Sequence, residues 1–433
     1  MVREAAVALV LIAAGIRIAA AATLLPYQAK DQHVGVGTCA TSVCHGSVTA
    51  TAGHDVDLNE FVTWSHDDRH AQAYAALADE KGRAIAAHLG IADARAAPEC
   101  LGCHADDVPP ERRAAGFSVS DGVGCEACHG GAERWLATHS AHAATYRQDV
   151  ARGLYPTADL PERAALCLSC HAGNDDKFVT HRMYGAGHPR LAFELDTFLA
   201  LEPPHYRVDD DYEVRKPVYS RTAVWVYGQL AAAVRDAHFL EGPRLRGAGL
   251  MPELALFDCH ACHENPLHRR ASHSLLTKPL AAGSVPFPQG HLKMAFVIAG
   301  RLDATAATAL LAEAQALGRA GAGDAGRVAA ASAVLKRDLT GLVERAGARH
   351  WSREDSLELL KGVLRLCAGG DCADYISAEQ AVMATELLMI ETGLAGSHRD
   401  ALDALFRTLR NDDAYDAARL RDQMGALGAQ VGR

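Results

Sequence analysis

Apolar residues in the last third of the chain recur with the period of a helix. Leu357, Leu360 and Leu364 are spaced three or four residues apart, which places them on one face of a helix. Alanine, leucine, arginine and glutamate dominate after about His291, and these stretches predict five or six helices. Because amphipathic helices bury their apolar faces against one another, we predict that residues 291–433 form a small antiparallel helical bundle.

Three further patterns suggest helix boundaries. Residues 222–239 carry apolar positions at helical spacing and predict one helix. The sequence Ser377–Gln380 is typical of a capping box, so we predict a helix over 382–390. Asn411 precedes another predicted helix, 414–427.

The region before residue 290 has little regular periodicity. Glycine and proline interrupt residues 98–116, 156–161 and 203–217, which predicts loops. We therefore predict a mainly α fold with extensive loops, in which residues 27–290 form one domain and the helical bundle follows.

The N-terminus has the layout of a secretory signal peptide. Arg3 precedes the apolar run 5–16, and small residues follow at Ala20 and Ala22, so residues 1–22 are predicted to be cleaved near Ala22. The alternative is an uncleaved membrane anchor that associates the protein with a membrane, although Arg17 interrupts the apolar span. Export predicts a periplasmic or other extracytoplasmic location.

The charge of the chain argues against nucleic-acid binding. The formal net charge of the 433 residues is -10, whereas nucleic-acid binding requires basic surface. Such a charge favours a protein partner with a basic docking face.

The most specific motif is Cys125-Glu126-Ala127-Cys128-His129. In a C-x-x-C-H sequence two thiols attach a haem covalently and the adjacent histidine ligates its iron. Half of a zinc site is the competing interpretation, but the full pattern recurs in three more places. These are the motifs at Cys100, Cys103 and His104, at Cys167, Cys170 and His171, and at Cys259, Cys262 and His263. Four copies favour haem, because a zinc site does not require a histidine after the second cysteine.

A fifth cysteine pair is less regular. Cys39 and Cys44 are separated by four residues, and His45 follows. A short disulfide loop is the alternative, but a longer loop can bulge while Cys44 and His45 keep their relation. We therefore predict five covalently attached haems c, with His45, His104, His129, His171 and His263 as proximal iron ligands.

Two of the twelve cysteines remain, Cys367 and Cys372. Ala373 follows the second of them, so the pair lacks a proximal ligand and is not a sixth haem motif. A local disulfide is predicted for an oxidising compartment, and two buried free thiols are the alternative.

The order of these elements resembles the cytochrome c-554 family of multihaem cytochromes. The resemblance covers roughly residues 38–171 and rests on the first motif, Trp64 and His70 in WSHDDRHAQAY, CLGCH, GVGCEACHG with His139, and CLSCH. Residues 181–195, 204–206 and 257–263 resemble larger members with an additional haem. The C-x4-C first motif, the fifth haem and the long C-terminal region depart from the four-haem type, so no pathway role is carried over.

A six-coordinate haem needs a second axial ligand, and the resemblance implies two of them. His139 matches the family histidine that caps the first haem, so it is expected to ligate the haem of His45. His70 matches another family ligand and is assigned to the haem of His129. His66 is the local rival of His70.

Three more histidines are candidates from their local sequence. His181 and His188 flank Tyr184–Gly187, where glycine lets backbone approach a flat cofactor. They are assigned to the haems of His171 and His263, in either order, and His205 is a third candidate. Other histidines, such as His33, are expected to be packing or solvated residues.

The haem of His104 is left without an obvious partner. In the four-haem family type the second haem is five-coordinate, and an open iron can bind a small molecule. A downstream histidine could equally fill the position.

The predicted function is electron relay between redox partner proteins through closely packed haems. The alternative is a multihaem oxidoreductase that acts on a small nitrogen or sulfur compound at a five-coordinate haem. In a third interpretation the chain is a subunit of a larger assembly, with the helical end supplying contacts for an oligomer or partner.

Overall fold

The structure is a computed structural model that describes residues 23–50, 56–141, 144–247, 251–263, 280 and 285–432. The predicted signal peptide, residues 1–22, lies outside the described residues. Helices dominate these ranges, which confirms the mainly α prediction. The described ranges contain no β-strand, and a single isolated bridge joins His33 to Arg113.

The first half of the chain contains short helices joined by long loops. These are α1 (Val36–Cys39), α2 (Glu60–Asp67), α3 (Ala73–Ala76), α4 (Glu80–Leu89), α5 (Pro98–His104), α6 (Cys125–His129), α7 (Leu136–His139), α8 (Tyr146–Ala151), α9 (Leu160–His171), α10 (His181–Gly185), α11 (Leu195–Leu201) and α12 (Asp210–Arg215).

The second half contains most of the long helices. These are α13 (Arg221–Glu241), α14 (Cys259–His263), α15 (Gly290–Leu302), α16 (Ala304–Ala320), α17 (Ala325–Gly347), α18 (Arg353–Ala368), α19 (Tyr375–Glu391), α20 (Arg399–Thr408) and α21 (Ala417–Val431). Seven described helices thus follow Gln289, where five or six were predicted. None of the described helices is both long and apolar enough to cross a bilayer.

Helix α13 is the predicted helix over 222–239, and it joins the core of the bundle. Ser220 caps it by accepting a hydrogen bond from the backbone of Ala223. Trp225, Val226 and Leu230 are fully buried in the same apolar cluster as the bundle helices. Helix α13 lies before the domain boundary predicted between residues 290 and 291, yet it packs in the core of the bundle. The boundary therefore remains a prediction.

Two predicted helix starts are wrong. Helix α19 begins at Tyr375 after the cap Asp374, whose carboxylate accepts from the backbone of Ser377. Lys293 lies 2.6 Å from the Asp374 carboxylate and 2.9 Å from the Ser377 hydroxyl. Ser377 therefore lies inside the helix, bound to a distant lysine, and does not cap it.

The other wrong start is that of the last helix. Helix α21 begins at Ala417, because Asp416 caps it by accepting from the backbone of Ala418 and Arg419. Asn411 instead closes a short turn by accepting from the backbone of Asp413.

The predicted local disulfide is present between Cys367 and Cys372. It joins the end of α18 to the turn before α19, with the two Cα atoms 4.8 Å apart. Both residues are buried in the bundle core. A short loop of this kind fixes the connection between two core helices.

Candidate functional site

Four of the cysteine–histidine motifs lie on helices. They occupy α5, α6, the end of α9 and α14. Cysteines three residues apart on a helix share one face, so both thiols of each motif point to the same side.

The first motif is built differently. Cys39 is the last residue of α1, and the chain then turns, with the backbone of Cys44 bonded to Thr41 at 2.9 Å. The backbone of His45 returns to the carbonyl of Cys39 at 3.1 Å. The two extra residues therefore form a bulge that still brings His45 back beside Cys39.

Each motif histidine lies beside one of the five histidines nominated as second ligands. The ring centroids are 6.0 Å apart for His45 and His139, 5.9 Å for His70 and His171, 6.4 Å for His104 and His188, 6.3 Å for His129 and His205, and 6.2 Å for His181 and His263. The rival His66 is exposed.

The ring separations fit an iron between each pair. An imidazole nitrogen lies about 2 Å from a bound metal, so two rings on opposite sides of one ion have centroids about 6 Å apart. Each pair, with the two thiols of its motif, thus supplies the donor set that a covalently attached haem requires.

Hydrogen bonds at Nδ1 orient five of these rings. Carboxylates accept from three of them, and backbone carbonyls accept from two. The Nδ1 contacts are His45 to Glu60 at 2.8 Å, His70 to Asp68 at 2.9 Å, His139 to Asp149 at 3.2 Å, His104 to the carbonyl of Ala73 at 3.0 Å, and His188 to the carbonyl of Pro189 at 2.8 Å. An Nδ1–H donor leaves Nε2 unprotonated and free for a metal.

Local electrostatics favour the neutral, metal-binding form at His129 but not at His45 and His70. Burial lowers the pKa of His129 to about 3, so its imidazole is neutral, and neutral imidazole is the ligating form. Donation to the Glu60 carboxylate raises the pKa of His45, and donation to the Asp68 carboxylate raises the pKa of His70. These shifts reflect strong Nδ1–H donation to the two carboxylates.

The observed pairs differ in part from those expected from the sequence. His139 lies beside His45, as expected. His70 lies beside His171 and not beside His129. Its carbonyl accepts from the backbone of Val123, just before the third motif, but the bond to Asp68 turns its ring away.

The other expected pairs also change. His205 occupies the position beside His129, and His188 lies beside His104, the histidine expected to lack a partner. His181 lies beside His263. Each partner histidine comes from a segment of chain outside the motif that it faces. The order of the chain therefore does not determine which histidine pairs with which motif.

The motifs form a connected row. Helix α1, which ends at Cys39, packs against α6, and the thiols of Cys39 and Cys125 shift each other's pKa, which places the first motif beside the third. Cys103 on α5 and Cys170 on α9 likewise shift each other's pKa, and these two helices are in contact, which places the second motif beside the fourth. The thiol of Cys128 lies near those of the fourth motif.

Lys177 marks the contact between the second and fourth motifs. Its ammonium lies 3.4 Å from Sγ of Cys170 and 4.0 Å from the ring centroid of Tyr27. Donation from Cys103 lowers the pKa of the Cys170 thiol, and the charge of Lys177 lowers it further.

Helix α10 extends the row to the fifth motif. It begins with His181, the partner of His263, and the turn after it carries His188, the partner of His104. The motifs therefore follow one another in space in the order first, third, fourth, second, fifth.

The bundle contacts this row through a buried chain of amides. Gln229 donates to Gln380 at 2.7 Å, and Gln380 donates to the carbonyl of Phe193 at 3.1 Å. The Phe193 ring stacks on His171 with centroids 5.0 Å apart. Helix α19 thus supports a histidine of the fourth motif.

Sequence reasoning missed the carboxylates that bind the histidine rings. Asp68 is two residues before His70, so the sequence alone could have identified it as a local hydrogen-bond acceptor. Glu60 and Asp149 are 15 and 10 residues from the histidines they contact, so nothing in the sequence connects them. His33 is also more constrained than expected, because it is fully buried against Asp106 at 2.7 Å.

Comparison with known proteins gives one match. Residues 38–130 match the family described as cytochrome c554 and c-prime. The matched segment contains the first three motifs and ends before the fourth. No curated protein and no solved structure matches the chain.

Proposed function

We propose that the chain carries five haems, each ligated by two histidines. Through residues 38–130 the chain belongs to the cytochrome c554 family, so it is a c-type cytochrome involved in electron transfer. On this proposal the protein is a larger member of the family. It relays electrons between redox partner proteins.

The observation that supports the proposal is the fivefold pairing of histidines. Each motif histidine has one partner ring, at 5.9 to 6.4 Å between centroids. Accidental packing would not give the same separation for all five motifs and use all five nominated histidines. Two histidines across one iron account for the distance.

Bound haem would supply an iron that cycles between the ferric and ferrous states. The chain's own residues hold the rings in place and keep Nε2 available. Two histidine ligands leave no position for a substrate, so the arrangement favours a carrier over an enzyme. His188 supports the carrier most strongly, because it lies beside His104, the motif histidine whose haem was expected to lack a second ligand.

Electron paramagnetic resonance of the oxidised holoprotein tests the proposal, together with a haem count from the alkaline pyridine spectrum. Whole-protein mass provides an independent count of attached haems. We expect five haems with only low-spin ferric signals. Fewer than five haems, or a high-spin signal that changes with nitrite, hydroxylamine or nitric oxide, would contradict it, and the latter result would favour the enzyme.

We also propose that the protein acts outside the cytoplasm. The basis is the signal-peptide layout of residues 1–22 and the c-type haem motifs. Sequencing the N-terminus of the mature protein should find Thr23 or a near neighbour. An intact N-terminus starting at Met1 would instead support a membrane anchor.

A further inference from the structure

The five histidine pairs differ in what accepts the Nδ1 hydrogen bond. In the pair of His45 and His139, carboxylates accept from both rings: Glu60 at 2.8 Å and Asp149 at 3.2 Å. Both acceptors are largely shielded from solvent, with side-chain exposures of 15% and 4%. Within the described residues, neither carboxylate forms an ion pair with lysine or arginine, and Oδ1 of Asp149 has no partner.

The other pairs have fewer carboxylates. Asp68 binds His70, but no described residue accepts from Nδ1 of His171. The pair of His104 and His188 uses two backbone carbonyls. For His129 and His205, and for His181 and His263, the described part of the chain contains no such acceptor.

The local structure holds both carboxylates in position. Glu60 is the first residue of α2, and its other oxygen accepts from the backbone of Leu58 at 3.1 Å. Leu58 has a φ of 57°, an unfavourable value for a branched residue, and its carbonyl accepts from Ser47 at 2.7 Å. Backbone strain of this kind persists only where the surroundings enforce it.

Asp149 is fixed from the other side of the site. It lies in α8, where Thr145 and Gln148 form a capping box. His139 is the last residue of α7, and its ring packs edge-on against Trp135 at 5.5 Å. Two separate helices therefore bring the histidine and the carboxylate together.

A carboxylate at Nδ1 changes the iron that the ring binds. It makes the imidazole a more basic ligand, and its negative charge in a shielded site stabilises the more positive ferric state. Reduction adds one electron to the iron and neither forms nor breaks a bond. Two such carboxylates therefore oppose reduction more strongly than one, and one opposes it more strongly than two neutral carbonyls.

We propose that Glu60 and Asp149 are positioning residues that make the haem between His45 and His139 the lowest-potential haem of the chain. This inference rests on the proposed five-haem function. It puts the hardest iron to reduce at one end of the row of motifs.

The test is a potentiometric titration of the holoprotein, followed by optical and electron paramagnetic resonance spectra. The variants are Glu60→Gln, Asp149→Asn and the double variant. Asp67→Asn is the matched control, because Asp67 is an exposed carboxylate at the other end of α2. Asp68→Asn changes a different pair and should shift a different step.

We expect each variant to raise the ferrous-to-ferric equilibrium constant of the lowest step about tenfold or more. Tenfold corresponds to about 59 mV for a one-electron couple. The low-spin signal of the same haem should shift its g values, whereas the control should leave both unchanged. Loss of packing alone would not move one step selectively.

An unmoved lowest step in the double variant, with five low-spin haems retained, would overturn the inference alone. Fewer than five haems or a high-spin signal in the unchanged protein would overturn the proposed function instead. If Asp149→Asn fails to incorporate haem, Glu60→Gln still decides the question, because Glu60 lies nearer the surface.

Discussion

The ring of His188 lies 6.4 Å from the ring of His104, and the two planes are nearly perpendicular at 89°. Nδ1 of His104 donates to the carbonyl of Ala73, and Nδ1 of His188 donates to the carbonyl of its neighbour Pro189. The second motif thus has the same kind of partner as the other four. On the proposed function, this pair favours an electron carrier over an enzyme with an open iron.

His188→Ala should open one haem. Without a second imidazole the iron beside His104 becomes five-coordinate, so one high-spin ferric signal should appear and the reduced protein should bind about one carbon monoxide per chain. His66→Ala is the matched control, since His66 is exposed. A spectrum unchanged by His188→Ala would show that another group ligates this iron.

A thiol count should distinguish the cysteines by their chemistry. If the holoprotein carries the five proposed haems, its ten motif cysteines are linked to haem, and Cys367 and Cys372 form a disulfide. Denatured holoprotein should therefore have no reactive thiols before reduction and two reactive thiols per chain after reduction. Two reactive thiols before reduction would contradict the disulfide.

The same disulfide should stabilise the bundle. In the loop-entropy account a bridge over so short a segment contributes about 2 kcal/mol. The double variant Cys367→Ala, Cys372→Ala should lower the free energy of unfolding by that order, measured by chemical unfolding of the holoprotein. The haem count should not change, because neither residue attaches haem.

Stability should fall as the pH rises through neutrality, because of a carboxylate pair between α16 and α17. Burial and a hydrogen bond with Asp338 raise the pKa of Glu313 from 4.5 to about 7. The folded state therefore holds this proton more tightly than the unfolded state, and the stabilisation is full below about pH 4.5 and is lost by about pH 7.

Glu313→Gln should remove that part of the pH dependence. Because the pair is partly exposed, we expect a change of about 1 kcal/mol between pH 5 and 8. Circular dichroism at the two pH values measures it. Glu344→Gln on α17 is the control, since Glu344 is exposed, and an identical pH profile for both variants would contradict the assignment.

Gln380→Leu should disturb the fourth motif from inside the bundle. The change leaves the carbonyl of Phe193 and the amide of Gln229 without their partner. An unpaired buried polar group costs about 1–3 kcal/mol, so the melting temperature should fall. The spectrum of the haem beside His171 should also change, because Phe193 stacks on that ring.

The control for this variant is Gln430→Leu in α21, where the side chain is exposed. It introduces the same apolar group without breaking a buried hydrogen bond. If both variants lower stability equally, the amide chain does not connect the bundle to the motifs.

The sequence predicted the parts of the molecule that depend on local patterns. The motifs, the disulfide between Cys367 and Cys372 and the helix over 222–239 all follow from short-range spacing. The five nominated histidines also proved to be those that lie beside motif histidines. Their pairing was only partly foreseen, because it depends on how loops cross.

Long-range contacts account for the features that sequence reasoning missed. The start of α19 depends on Lys293, which lies 84 residues from Ser377. Asp149 reaches His139 only because α7 and α8 fold against each other. Such contacts have no local signature, so they require the folded structure.

His181 and His188 are supplied by one short stretch of chain, α10 and the turn that follows it. If the second motif holds one of the proposed haems and His188 ligates it, a tether of six residues confines His181 near the fifth motif. Confinement raises the effective concentration of the second ligand well above that of a free segment. Maturation of the two centres should therefore be cooperative, and partly loaded chains that lack only one of these two cofactors should be rare.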